Sequence, residues 1–417
     1  MRLYNTLSQS IEPFIPRRKS VSLYTCGITP YDTTHLGHAF TYAVSDILIR
    51  YLELQGLKVR YVQNVTDIDD DILRKAKLAG EDWTTIGNRW TAHFIHDMQS
   101  LNVRPPDYYP RATDVIPDIV RFVRNLISNG VAYESGGSIY FDIHSWPEFG
   151  KLNRLPYEEM LPMANQRGNF PNDKNKRDPL DFVLWQAQVL GEPAWDSPWG
   201  PGRPGWHIEC STMSTNLLGK TVDIHSGGGD LCFPHHECEI AQVEPLTGKP
   251  PFVRFWMHVA MVRYQGEKMS KSLGNLIWVR DLLKTYTPDA IRLYLCGYHY
   301  RDSWEYEEGR LIEAENMVAK INQALKITGG NERLIDPKGA WASFTVAMDN
   351  DLDTPAARDI LSALADKVNE GIATGRSVIT AQQAIRQMGN VFGLQFDHKE
   401  PEKCVIDGWN KHLKRFE

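Results

Sequence analysis

Residues 230–242, DLCFPHHECEIAQ, bring His235, His236, Glu237, Glu239, Cys232 and Cys238 into one short stretch. Imidazole, carboxylate and thiolate together are zinc donors, so metal binding is the first chemistry to weigh. Pro234 suits the first position of a helix, and HHECEIAQVE would then begin one. Helical spacing stacks His235 and Glu239, four residues apart, on one face and turns His236 elsewhere; Cys238, three residues from His235, is a competing donor. Two ligands do not close a zinc site, which usually takes four. The remaining thiolates have to come from afar, and Cys26, at a strand end, and Cys210, in GWHIECSTM, are well placed. A solvated helix start beside a buried thiol accounts for the same residues, and this stretch alone does not separate the two readings.

Two other stretches suit phosphate. HLGH (35–38) sets two histidines around a glycine where a helix opens after a strand. Glycine permits close approach, the helix N-terminus favours an anion, and imidazoles can donate to developing charge. GEKMSKSLGN (266–275) sets Lys268 and Lys271 in a serine- and glycine-flanked segment able to close over a pyrophosphate. Taken singly, the first is more often a pair of structural histidines and the second a solvated basic loop. Their occurrence in this order, far apart in the chain, strengthens both.

The elements have to bring these stretches together. SVSLYTCG (20–27) reads as a buried strand, residues from about Thr34 to Gly56 as a helix, and KVRYVQNVTDIDD (58–70) as a second strand followed by the helical DDILRKAKLAG. Strand, helix, strand with short connections is a βαβ unit, which implies a parallel sheet with a site at the strands' carboxyl ends. Cys26, His35–His38 and Thr66 would share that edge. The Pro-, Gly- and Trp-rich region up to residue 200 reads as an insertion between two halves of the sheet. TVDIHSGGGDLCF (221–233) and FVRFWMHVAMVRY (252–264) return to strand, and after about Ser303 the pattern is helical, broken by TGGNERLIDPKG (328–339). The expected division is 1–115 for the first half of a nucleotide-binding domain and 116–200 for the inserted connective region. Residues 201–302 then form the second half with the lysine loop, and 303–417 a helical C-terminal region.

Composition sets the bounds. With 42% hydrophobic and 24% charged residues over 417 positions, the chain reads as a soluble globular protein. No run reaches the roughly 18–20 apolar residues of a membrane span. The N-terminus lacks an apolar signal region, so cytoplasmic residence and no membrane partner are expected. Six cysteines read as reduced thiols, with Cys232, Cys238, Cys296 and Cys404 left without a role. A net charge of −6 gives no global pull toward nucleic acid.

HLGH with KMSKS resembles the signature pair of class I aminoacyl-tRNA synthetases. CGITPYD, NVTDIDD, DFVLW, GRPGWHIECS, FPHHECEIAQ and GEKMSKSLGN resemble the cysteinyl-tRNA synthetases specifically, from about Met1 to Arg301 and more loosely over 347–369. The resemblance implies an α/β fold, a Rossmann-like parallel sheet split by an insertion and followed by helices. It implies one zinc ion on Cys26, Cys210, His235 and Glu239. Trp206 would pack beside the substrate, with Thr29 and Thr66 near the amino acid and Asp230 as a weaker contact to adenosine or the substrate amine. His35, His38 and Lys271 would contact ATP, and Lys268 and Lys271 its phosphates, with Mg2+ accompanying. The implied chemistry is formation of cysteinyl-adenylate from L-cysteine and ATP, then transfer to tRNA(Cys), by a monomer.

One feature departs from that family: the sequence runs out soon after NVFGLQFDHKEPEKCVIDGWNKHLKRFE, which leaves little room for a separate anticodon-binding domain. The mycothiol-pathway cysteine ligase, a relative of similar length, joins cysteine to an amino sugar linked to inositol. TPYDTTHLGHAFTY, with Pro30 and Phe40, and GNLIWV lean toward it, whereas Glu239, DFVLW, HIECSTM and EKMSKSLGN lean toward the synthetase. Charging of tRNA is the leading expectation and the amino-sugar acceptor the alternative. A synthetase-like paralog serving as an inactive binding or regulatory module comes last, since both signatures and all four zinc candidates are intact.

Overall fold

The computed structural model describes the whole chain apart from residues 33, 270–272, 329–332, 373–374, 397–400 and 417. SVSLYTCGI forms β1 (Ser20–Ile28), followed by α1 (Leu36–Leu54) and β2 (Lys58–Val65). β1 and β2 pair in parallel, as a βαβ unit requires. Beyond the insertion come α2 (Trp206–Leu218), β3 (Val222–Gly228), α3 (Glu237–Thr247) and β4 (Val253–Val259). All four strands lie parallel in the order β4-β3-β1-β2. The chain leaves β1 toward β2 on one flank, and β3 fills the other. The crevice at the carboxyl ends of β1 and β3 is therefore the switch point at which open α/β sheets hold ligands.

Strand alternation gives the sheet two buried faces. Val21 and Leu23 of β1, with Val59 and Tyr61 of β2, join a core that runs through α1 into the C-terminal helices. Tyr24 and Cys26 of β1, with Val62 of β2, join a second core shared with the insertion, α2 and α3. α1 is buried on nearly all sides, from Leu36 and Phe40 to Tyr51 and Leu52, because the sheet covers one face and helices the other. The insertion contributes its own antiparallel sheet, Ala132–Ser135, Ser138–Phe141, Phe182–Ala187 and Gly202–Pro204 in chain order.

Three local expectations need correction. α1 begins at Leu36 and not at Thr34, because His35 is extended and caps the helix, its Nδ1 accepting from the Gly37 N–H at 3.1 Å. β2 ends at Val65, short of Asp70. The carboxylates beyond it serve turns: Asp67 accepts from the Thr113 N–H, and Asp69 caps the next helix through the Asp71 N–H. Residues 252–264 are two strands. Ala260 N–H donates to Tyr300 O at 2.8 Å, and the chain turns there into Val262–Tyr264, which pairs with Glu267–Lys268 and Trp304–Glu305.

The C-terminal region is helical, with Glu308–Lys326, Lys338–Asp349, Thr354–Ile372, Ile379–Val391 and Lys403–Leu413. A buried ion pair between Asp46 of α1 and Arg292 ties it to the helix that joins β1 to β2, since Arg292 also donates to the carbonyls of Leu101 and Phe392. Among the described residues, no helix is long and apolar enough to cross a membrane.

Candidate metal centre and active site

Four buried donors from three elements meet at the sheet's switch point. Cys26 stands near the end of β1, Cys210 one turn into α2, and His235 and Glu239 at the entry to α3; their donor atoms all lie within 4.8 Å of one another. Cys26 Sγ is 3.8 Å from Cys210 Sγ and 3.7 Å from Glu239 Oε1, and His235 Nε2 is 3.3 Å from Glu239 Oε1. A tetrahedron built on zinc bond lengths has edges of about 3.3–3.8 Å, so these spacings fit one ion.

A second set, Cys26, His225, His236 and Glu239, is equally compact. His236 was expected to point elsewhere, and it does not: its Nε2 lies 3.3 Å from Cys26 Sγ. The regular helix begins at Glu237; residues 232–236 form one wide turn, entered from an extended Phe233 (φ −139°, ψ 136°). That turn relaxes ordinary helical spacing, so both imidazoles face inward and Pro234 is not the first residue of a regular helix. Cys238, the competing donor, belongs to neither set and packs in the core beneath the insertion.

Behind the donors stands a layer of partners. His225 Nε2 is 3.0 Å from Glu239 Oε2, His207 Nδ1 is 2.9 Å from His235 Nδ1, and His236 Nδ1 is 2.8 Å from His258 Nε2, whose Nδ1 meets Thr6 Oγ1 at 2.7 Å. Such contacts fix which ring nitrogen faces an ion. Burial, reinforced by neighbouring imidazoles, holds His235 and His236 well below the ordinary histidine range. Burial likewise takes His207 and His258 down to about 3. Burial, with Cys210 and Glu239 beside it, pushes the Cys26 thiol up. Neutral imidazoles and crowded acidic donors are the set a cation would satisfy, releasing thiol protons as it binds. Sequence reasoning missed His225, His207 and His258. The available signal was position: His225 lies opposite Tyr24 across the β1–β3 pairing, and His207 follows Trp206.

The amino-acid and phosphate candidates surround this floor. The Trp206 ring stacks on His235, centroids 4.5 Å apart, and stays half-buried. Thr29 follows the end of β1, and Thr66 the end of β2, where its N–H donates to Ile28 O at 3.0 Å. Gly27 is required here, since a Cβ would sit 1.6 Å from Asn64 O. His35 and His38 stack at 3.8 Å at the start of α1. The chain after the lysine loop pairs with this segment, Leu36 N–H to Ile277 O at 2.8 Å and Val279 N–H to Thr34 O at 3.1 Å. Lys268 Nζ lies 3.2 Å from Asp230 Oδ2, joining the loop to the turn after β3. Lys271 falls outside the described residues.

Residues 14–316 match the family model of the class I (C) tRNA synthetase catalytic domain, and residues 343–397 match the DALR domain. A cysteine–tRNA ligase of Dehalococcoides mccartyi (strain 195) is 42% identical over 406 residues, covering 96% of this chain and 88% of that protein. One from Thermococcus onnurineus is 41% identical over 425 residues, with 97% and 88% covered. A solved methionyl-tRNA synthetase of Mycobacterium tuberculosis in complex with methionyl-adenylate superposes with a TM-score of 0.65 at 14% identity, over 96% of this chain and 93% of that one. That likeness speaks for the fold alone.

Proposed function

The chain belongs to the cysteinyl class I tRNA synthetases, a ligase that activates cysteine with ATP and charges tRNA, and from that premise we propose how its residues divide the work. Cys26, Cys210, His235 and Glu239 hold one zinc ion, the pair of thiolates favouring this softer metal over magnesium or calcium. The observation that carries this reading is the convergence of those four buried donors, all within 4.8 Å of one another. When bound, zinc supplies a thiophilic position that takes the substrate's sulfur as thiolate and so separates cysteine from serine by softness, which pocket shape does poorly.

The chain's own groups do the rest. Trp206 covers the cysteine side chain, and Thr29 and Thr66 meet its amino-acid end. His35 and His38, at the N-terminus of α1, contact ATP where helix N–H groups favour phosphate. The exposed Lys268 exchanges its partner Asp230 for the phosphates, and Lys271 adds a second ammonium, with Mg2+ on the triphosphate. A carboxylate oxygen of cysteine attacks the α-phosphorus, the bond to the bridging oxygen breaks, and pyrophosphate leaves. A terminal ribose hydroxyl of tRNA(Cys) then attacks the adenylate carbonyl and AMP departs. No protein nucleophile is needed, so catalysis is positioning and charge stabilisation. The test is cysteine-dependent exchange of pyrophosphate into ATP, followed by charging of a tRNA(Cys) transcript. Both are expected; exchange without charging, with turnover on an amino sugar, would overturn the acceptor.

A further inference from the structure

A thiophilic ion separates sulfur from oxygen but not one thiol from another, and homocysteine, one methylene longer than cysteine, offers it the same donor. Rejection of the longer thiol has to come from walls that do not yield, since one methylene is worth about 10–200-fold only where the surroundings stay in place. Two segments make those walls. One runs from Thr66 to Asp70: the Thr66 N–H is tied to Ile28 O at 3.0 Å, and Asp69 caps the Asp70–Ala79 helix through the Asp71 N–H at 2.7 Å. The other runs from Arg203 to Trp206. Its backbone presses on the insertion, where a Cβ on Gly205 would sit 2.0 Å from Val183 O, and the Trp206 ring stacks on His235.

The outer ends of the two segments are joined. Arg203 Nη2 donates to Asp70 Oδ1, and Arg203 Nε donates to Glu192 Oε2 at 3.2 Å. The Arg203 side chain is 12% exposed and forks between two carboxylates, which makes it a stiffer link than a single surface pair. A second contact bridges the same segments beside it. Trp195 meets Trp83 edge-on with ring centroids 6.4 Å apart, and Trp195 is itself held to Gly202 by two N–H to O bonds of 2.7 and 3.0 Å. Asp70 lies four residues beyond Thr66 and Arg203 three before Trp206, so the clasp acts close to the residues that would face the amino acid.

We propose that Arg203 is a positioning residue for amino-acid length: by clasping Asp70 it holds Thr66 and Trp206 at a separation that admits cysteine and excludes homocysteine. The inference rests on the cysteine-activating function described above. It is tested on the full chain, metal content measured in each variant, by calorimetric binding of L-cysteine and L-homocysteine alongside pyrophosphate exchange with each. Arg203→Met keeps the aliphatic stem and loses the fork. It should narrow the preference for cysteine over homocysteine about fivefold, the upper range for a partly exposed ion pair, acting through the amino-acid KM and leaving the KM for ATP in place. Arg203→Lys, which can still reach Asp70, should keep most of the preference. Asp70→Asn, at a side chain 58% exposed, should narrow it as Arg203→Met does and covers the case in which that variant fails to fold. A wild type that binds both amino acids alike, or a preference unchanged in Arg203→Met and Asp70→Asn, overturns the proposal. A metal-free wild type or an absent exchange reaction counts against the zinc or the activation reading instead, since the binding preference still decides the clasp.

Discussion

Cys210 lies one helical turn beyond Trp206, so a single helix sets both a thiolate and the ring that stacks on His235. The two overlapping donor sets share Cys26 and Glu239 and differ in whether Cys210 and His235 or His225 and His236 take part, and substitution separates them. Loss of an outer partner costs about 10–100-fold in metal affinity, and loss of a ligand costs more. Cys210→Ala should therefore empty the site and abolish most cysteine activation, whereas His225→Ala should leave a weakened metal, both read by atomic emission after gel filtration. Metal retained in Cys210→Ala and lost in His225→Ala would transfer the site to the histidine set. The i, i+4 spacing of His235 and Glu239 was legible in the sequence, although His235 stands in the turn before α3 and only Glu239 lies on the helix. His236 was not, since the wide turn at 232–236 obeys no single periodicity. His225 was hidden for another reason: its partner Glu239 lies across a tertiary contact.

At the scale of elements, the βαβ unit could be read because β1, α1 and β2 each carry their own local pattern. Their ends could not, because carboxylates such as Asp69 exchange ladder pairing for capping. The docking of the Lys403–Leu413 helix depends on a titratable group. His412 Nε2 donates to Pro106 O at 2.8 Å, and burial pulls the ring below the ordinary histidine range. The unfolded chain thus takes up its proton first, near pH ~6.5, so this stabilisation is full above that value and declines as pH falls toward the folded-state value. Protection of residues 403–413, corrected for the intrinsic exchange rate, should fall as pH drops below about 6.5, and His412→Gln, which can keep the donor, should flatten that dependence. Asp46 carries a larger burden, accepting from Arg50 Nε at 2.9 Å, Arg104 N–H at 2.9 Å and Arg292. Asp46→Ala strands Arg292 in the core and should cost about 3–5 kcal/mol in denaturant unfolding. A loss under 1 kcal/mol would mean that water or another acid relieves it.

At the scale of the molecule, the proposed metal centre belongs to only one face of the sheet. Cys26, Cys210 and Cys238 sit in the core that includes Phe141, Phe182 and Trp185 of the insertion. The opposite core runs from Leu3 through α1 to Phe416 and contains none of the four donors. An ion that binds only the folded state stabilises by mass action, about 4 kcal/mol at a thousandfold excess over its dissociation constant. That stabilisation is delivered where the ligands are anchored: to β1, α2 and α3, and through Glu237, which accepts from the N–H groups of Gly150, Leu152 and Asn153, to the insertion. Regions of one protein open with different free energies, so removing the ion should loosen its own side first. Chelation is therefore expected to speed hydrogen exchange in 132–141, 182–187, 206–218 and 237–247 while 308–326 and 338–349 keep their protection. Restoring zinc should reverse the effect. Equal loosening of both faces would mean that the sheet transmits the strain as a unit, and no loosening anywhere would remove the metal from the fold's energetics altogether.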